Sequence, residues 1–369
     1  MKIKRVETIR IRWADHDKPT QGSAFVRVWA DDGRFGLGEV SPMQGGLASL
    51  GILVNDIAPV VVGADPLDRA VIQDRLEHRL VKLGPEGALS GALAGLDIAL
   101  WDLNGKLLGQ PIYKLLGGAW RTALPFYSSI GGNGAGRSLD EVLRIVEARL
   151  KDNPAAIKIR FDNDRTTLDL DIPGDLAKAR AVRELVGPDF PLAFDANNGY
   201  SMSGAMRVGR ALEELGYWWF EEPVQHYHVR QLGELAGRLD ITVSAGEQSY
   251  TLAAVADLIL AGVRMVQPDI VKMGGITGLQ RCAALAHAHG AELVPHQTQP
   301  TIGHQASLHF AAAQLHATKP CELNDPSPRM HGVFVNPPRP VDGLFHVTEA
   351  PGLGLELNEA ALAARVVPF

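Results

Sequence analysis

The chain reads as an α/β protein built on a (β/α)8-type barrel, a modified TIM barrel, preceded by a smaller α+β unit. Three observations predict this. Between residues 124 and 323, eight short apolar runs alternate with amphipathic helix candidates, the rhythm of a parallel β/α barrel. The texture changes near residue 120, before which strand-like alternation gives way to one long helical stretch. Six of the strand candidates also end on a polar residue able to do chemistry, at intervals of 26, 26, 22, 27 and 26 residues, about one β/α unit each.

In chain order, Lys2–Trp13, Ala24–Trp29 and Phe35–Val40 alternate as strands. "GALAGLDIALWDLNGKLLG" carries apolar residues at helical spacing, and Gly117 and Gly118 read as turn residues, because no GxxxxGK[ST] phosphate loop is present. The barrel strand candidates are Leu124–Ile130, Ala155–Phe161, Leu192–Asp195, Tyr217–Glu221, Ile241–Ser244, Met265–Asp269, Glu292–Pro295 and Pro320–Leu323. From Asp325 onward the chain is rich in Pro and Gly and has no barrel rhythm, so it is expected to pack back on the N-terminal unit. The expected division is 1–122, 123–325 and 326–369.

Composition bounds the function. With 369 residues, 46% of them hydrophobic, the chain can bury a large core. A net charge of −6 without a basic block argues against nucleic acid or an anionic membrane as partner. No apolar run approaches 18 residues, and "MKIKRVETIRIRW" alternates where a signal peptide would be continuously apolar. Cys282 and Cys321 form neither a disulfide framework nor a metal-type spacing, so a reducing cytoplasm is expected.

The polar strand ends are Asp195 in "LAFDANN", Glu221 in "WWFEEP", Glu247 in "VSAGEQ", Asp269 in "MVQPDIV", His296 in "LVPHQT" and Glu322 in "CELND". Any one of them reads as a helix cap or a solvated loop acid; six in register read as an active-site rim. Asp195, Glu221 and Glu247 on consecutive strands would repel one another unless a cation sits among them, and oxygen-only ligands favour Mg²⁺ over Zn²⁺. In "AIKIRF" a strand would send Lys158 and Arg160 to one face. In isolation this is an edge strand with a solvated face, but beside a metal the two cations would bind an anionic substrate or move its protons. Asp269, one strand before His296, can hold the imidazole in one tautomer and raise its basicity. The set suits removal of a proton next to a carboxylate, with metal and ammonium stabilising the enediolate.

These pieces together resemble the enolase superfamily, mandelate racemase subgroup, over essentially the whole chain. The resemblance rests on "SGALAGLDIALWDLNGKLLGQPIYKLLGG", "KIR", "FDAN", "FEEP", "SAGEQ", "QPDIVKMGGITG" and "VPHQ". It implies that the N-terminal unit is a capping domain, that Asp195, Glu221 and Glu247 bind Mg²⁺, and that His296 with Asp269 is a catalytic acid/base. It also implies that Glu322 hydrogen-bonds the substrate carboxylate region, that Lys158 neutralises that carboxylate, and that Asn197 touches substrate. An even-numbered homo-oligomer, an octamer among the options, follows from the same likeness.

One departure decides between reactions. Racemases of the subgroup carry Lys-x-Lys, whereas this chain has Arg160 at the second position. An arginine is deprotonated in roughly one molecule in 10⁵ or fewer at neutral pH, which disfavours a second base. The expectation is therefore one-base dehydration of an acid sugar to a 2-keto-3-deoxy acid: His296 takes the α-proton and returns it to the departing 3-hydroxyl. Racemisation or epimerisation of an α-substituted acid is the alternative within enzymes, and a metal-dependent binding protein without turnover is the alternative outside them. An ion pair between Arg160 and Asp195 is a structural reading of the same arginine. Lys272 ranks second to His296 as base. His226 and His228 are loop residues that could touch substrate, and His287, His289 and His309 read as outer-ring surface or packing residues. Trp13–Ala24 and Val40–Leu50, interrupted by Gly and Pro, are expected as loops over the barrel mouth that set specificity.

Overall fold

A computed structural model describes residues 1–15, 18–41, 46–130, 137–160, 165–324 and 332–368. At the N-terminus β1 (Ile3–Asp15), β2 (Lys18–Ala30) and β3 (Phe35–Val40) form an antiparallel sheet. The segment expected as a loop from Trp13 instead continues β1 and β2, apart from residues 16–17, which lie outside the described residues. Trp13 pairs with Gln21 and Asp15 with Lys18, so the ladder takes up backbone groups that a loop would leave to water. Residues 42–45 of the second expected loop lie outside the described residues, and its remainder opens the helix α1 (Gly46–Ile52).

The helix α2 (Ala88–Leu108) lies against this sheet and is buried from Leu89 to Gly105. Small residues set the approach: a Cβ on Gly38 would stand 1.9 Å from the Gly95 carbonyl oxygen. Asp102 on the same helix accepts the backbone N–H of Leu37 at 2.7 Å and of Leu353 at 2.8 Å, joining sheet, helix and C-terminal segment. That segment also returns to β1, where the Val367 N–H donates to Arg10 and the Arg12 N–H to Arg365.

Eight parallel strands follow: β4 (Ala123–Ile130), β5 (Ala156–Arg160), β6 (Leu192–Asp195), β7 (Trp219–Glu221), β8 (Thr242–Ala245), β9 (Met265–Val266), β10 (Glu292–Leu293) and β11 (Cys321–Leu323). Each pairs with the next from β4 to β10, and β11 pairs with β4. Among the described residues no ladder joins β10 to β11, so the sheet is a curled eight-stranded wall open at one seam. All eight expected strands are present, some shortened by a residue or more at their ends; Phe161 lies outside the described residues.

Alternation along the strands sorts the core. Ile157, Ile159, Phe194, Phe220, Val243 and Val266 face outward into the main apolar cluster with helix residues such as Leu176, Val208, Leu235 and Leu279. Tyr127, Ala156, Ala193, Trp219, Met265 and Val294 face inward and close the barrel interior. The helices between strands start and stop on local signals. Ser138 forms a capping box with Glu141, Asp171, Ser201 and Thr251 cap later helices, and Gly187 and Gly262 end two of them at φ 87° and 114°.

Candidate active site

One step along each strand from the inner apolar layer, the period-2 alternation brings up the polar layer. Ala156 leads to Lys158, Ala193 to Asp195, Trp219 to Glu221, Met265 to Gln267, and Val294 to His296. Arg160 pairs in register with Asp195, and Asp195 with Glu221. The two cations of "AIKIRF" therefore share the inner face with the acids, and the edge-strand reading does not hold for β5, which is flanked by β4 and β6.

Lys158 is 1% exposed. Its Nζ lies 2.7 Å from Glu221 Oε1, 3.0 Å from Glu322 Oε1 and 3.9 Å from Asp195 Oδ2. Burial works against its charge, but Glu221 and Glu322 outweigh it and keep the ammonium well above its usual range. Glu221 also accepts from the Trp219 indole at 3.1 Å and from Gln267 at 2.8 Å. Glu322 accepts the Gln297 N–H at 2.9 Å. Arg160 is less enclosed, with Nε 3.8 Å from Asp195 Oδ2, so the ion pair read from sequence is present at long range.

On the opposite wall His296 stands between two carboxylates, with Nδ1 2.8 Å from Asp269 Oδ2 and Nε2 2.7 Å from Glu247 Oε2. Burial disfavours the imidazolium. Glu247, Glu322 and Asp269 overcome that and raise its pKa well above the ordinary value, while His296 and Lys272 together hold Glu247 well below the carboxylate range. Lys272 lies 3.5 Å from Asp269 Oδ2, and its Nζ donates to the Glu247 carbonyl at 3.2 Å. Burial works against its charge, and those two acids outweigh it and raise its pKa.

The acids do not stand as a finished metal cage among the described residues: Glu221 is turned onto Lys158 and Glu247 onto His296. Their electrostatics nevertheless leave negative charge unbalanced. Burial, then repulsion from Glu221, pushes Asp195 up to about 7. Burial, then Glu247 and Asp195, pushes Glu222 up to about 8, and Glu222 Oε1 is buried with no hydrogen-bond partner. Oxygen donors crowded in this way fit a hard divalent cation.

Two members of this rim carried no signal in the sequence. Glu222 would point outward by alternation, but its left-handed φ of 40° turns it to the rim, where it accepts from the Asn198 amide. Arg165 donates from Nε to Asn197 Oδ1 at 2.8 Å, so the Asn197 side chain is engaged by an arginine, and its N–H donates to Asp195 Oδ1 at 2.8 Å. His226 is half-buried at the rim and His228 is exposed. His287 and His289 are exposed, and His309 is fully buried. A cavity of about 740 Å³ opens above the site, lined by residues of both units, among them Ser23, Ser49, Arg165, Glu247, Gln248 and Lys272.

Comparison with known proteins agrees with this architecture. Residues 3–117 match the mandelate racemase / muconate lactonizing enzyme N-terminal domain, and residues 141–361 match the enolase C-terminal domain-like family. A mandelate racemase/muconate lactonizing protein of Paracoccus denitrificans, solved in complex with magnesium, is 64% identical. The likeness covers 100% of this chain and 99% of that one, with a TM-score of 0.96. The D-galactarolactone cycloisomerase of Agrobacterium fabrum is 32% identical over 93% of this chain and 91% of its own length. The L-talarate/galactarate dehydratase of Salmonella typhimurium is 30% identical over 93% and 83%. The chain is an enzyme and belongs to the mandelate racemase / muconate lactonizing enzyme family of the enolase superfamily.

Proposed function

We propose that the enzyme is a Mg²⁺-dependent dehydratase of an acid sugar, giving a 2-keto-3-deoxy acid, with Asp195, Glu221 and Glu247 as the metal ligands. The observation that carries this reading is the asymmetry of the site. One wall holds a histidine–carboxylate pair, His296 with Asp269, and the facing wall holds Lys158 and Arg160, neither of which gives up a proton at neutral pH.

Bound Mg²⁺ would supply a Lewis acid beside the substrate carboxylate. The chain supplies the rest. Lys158 neutralises that carboxylate, and Glu322 fixes Lys158 and accepts from the substrate. Glu247 would be one of the groups holding the cation, and His296, whose Nε2 lies beside it, would be the group that accepts the α-proton. Asp269 keeps Nδ1 protonated, leaving Nε2 to act. His296 then returns the proton to the 3-hydroxyl as it leaves. Arg160 orients the substrate and adds charge, and its guanidinium supports single-base chemistry over the racemase or epimerase alternative. Asn197 acts through its bonds to Asp195 and Arg165.

Free Cys282 and Cys321 support a reducing, cytoplasmic setting, and no described helix is long and apolar enough to cross a membrane. We propose an even-numbered homo-oligomer, with the apolar recess that Trp120 and Leu315 line as a candidate contact. The deciding experiment is a screen of mono- and diacid sugars with Mg²⁺, scored for 2-keto-3-deoxy products by semicarbazide absorbance. At least one substrate is expected, with activity removed by EDTA and restored by Mg²⁺; turnover that persists in EDTA would refute the metal assignment.

A further inference from the structure

The cavity above the site carries more positive charge than the reaction at its floor uses. Among the described residues its charged lining consists of Arg10, Arg165, Lys272 and Glu247. Glu247 is bonded to His296, and Lys272 is paired with Asp269, so these two are accounted for. Arg10 and Arg165 are not: among the described residues neither has a carboxylate within ion-pair distance. Arg10 donates to the Pro368 carbonyl at 3.0 Å. Arg165 donates to the Asn197 amide oxygen at 2.8 Å and to the Asn197 carbonyl at 3.3 Å, and the Gln248 amide oxygen, in the orientation facing it, is 3.2 Å away. All these acceptors are neutral. A guanidinium has five donors in a planar fork suited to a carboxylate, and such charge-assisted pairs are the strong ones. Arg165 is near enough to the buried Glu222 carboxylate to favour its charge, but among the described residues no acid is bonded to either arginine, and in a chain of net charge −6 two such arginines lining one cavity mark a place for an anion.

Building on the acid-sugar reading, we infer that the substrate is a dianion, an aldarate. Its reacting carboxylate is taken at Lys158, and its distal carboxylate is bound at the cavity mouth by Arg165, with Arg10 adding to the attraction. Arg165 is a specificity residue in this scheme: it lines the cavity and is bonded to the Asn197 side chain and carbonyl, with no bond to Lys158, His296 or a proposed metal ligand. A monoacid of the same length would present a neutral hydroxymethyl group where Arg165 expects charge, and would gain only the floor contacts.

The test measures binding in the Mg²⁺-loaded His296→Asn protein, whose slowed turnover leaves the ligand intact during the titration, by calorimetry with stereoisomeric six-carbon aldarates and the matching aldonates. At least one aldarate is expected to bind ten-fold or more tightly than its aldonate. Arg165→Ala should weaken that aldarate by about 10–100-fold and the aldonate by less than about 3-fold, the range of a lost charge-assisted bond. Arg165→Lys should recover part of the loss. Arg165 is exposed, so an unchanged thermal midpoint is expected and separates lost recognition from lost folding. Equal weakening of both ligand classes, or an aldonate bound as tightly as every aldarate, would overturn the dianion inference and leave the dehydratase reading standing. Binding of neither class would overturn both.

Discussion

Glu39 offers the sharpest quantitative test of how the capping unit grips the barrel. It is fully buried on β3, accepts from the Ser23 hydroxyl, and accepts the N–H of Gly303 at 3.0 Å in the first turn of the helix Ile302–Ala313, a few residues after His296. Burial, only partly offset by those two bonds, pushes its pKa from 4.5 up to about 7. A raised pKa means that the fold prefers the protonated acid. The stabilising contribution is complete below about pH 4.5 and is lost as pH rises through about 7. At about 1.4 kcal/mol for each pH unit, that interval is worth about 3 kcal/mol. Glu39→Gln mimics the protonated acid, since its amide can donate to Ser23 and accept from Gly303, and it does not titrate. The measurement is urea unfolding of both proteins from pH 4.5 to 8.5. The variant's advantage over the native protein should grow by about 3 kcal/mol across that range, most of it between pH 5 and 7.5. A difference that stays flat with pH would refute the reasoning, because Glu39 would then ionise as easily in the fold as in water.

Other outcomes follow from the site. His296→Asn should lower dehydration and α-proton exchange in D₂O by about 10²–10⁴-fold while Mg²⁺ binding persists; retained exchange would point to another base, with Lys272 the first to examine. Arg160→Lys should slow dehydration through lost orientation and introduce slow exchange from the second face, detectable as deuterium incorporated into both epimers. If the native enzyme already exchanges both epimers at similar rates, the epimerase alternative takes over. Lys158→Met leaves Glu221 and Glu322 facing each other without their buried cation, so stability in EDTA should fall by about 3–5 kcal/mol in urea titrations. Sedimentation should show an even-numbered assembly, and a monomer at all concentrations would count against it.

The sequence by itself determined the barrel rhythm and the inner face of each strand. Both depend on local periodicity: two residues per repeat place Lys158 with Arg160, and about 26 residues per β/α unit return a polar group to the same rim. The pairing of His296 with Asp269 was legible for the same reason, since neighbouring strands put their ends within reach. Distances across the barrel were not legible, because they depend on which inward side chains are bulky enough to hold the walls apart. Only the tertiary structure turned Glu221 onto Lys158 and Glu247 onto His296, and left the seam between β10 and β11 without a ladder. Glu222 reached the rim through a left-handed backbone that alternation does not anticipate, and Arg165 entered the site from a connection with no periodicity to read. The long hairpin from Trp13 had the same origin. Gly and Pro in that stretch signalled a break, but ladder hydrogen bonds with the facing strand outweighed local preference, and such bonds exist only once two distant segments have met.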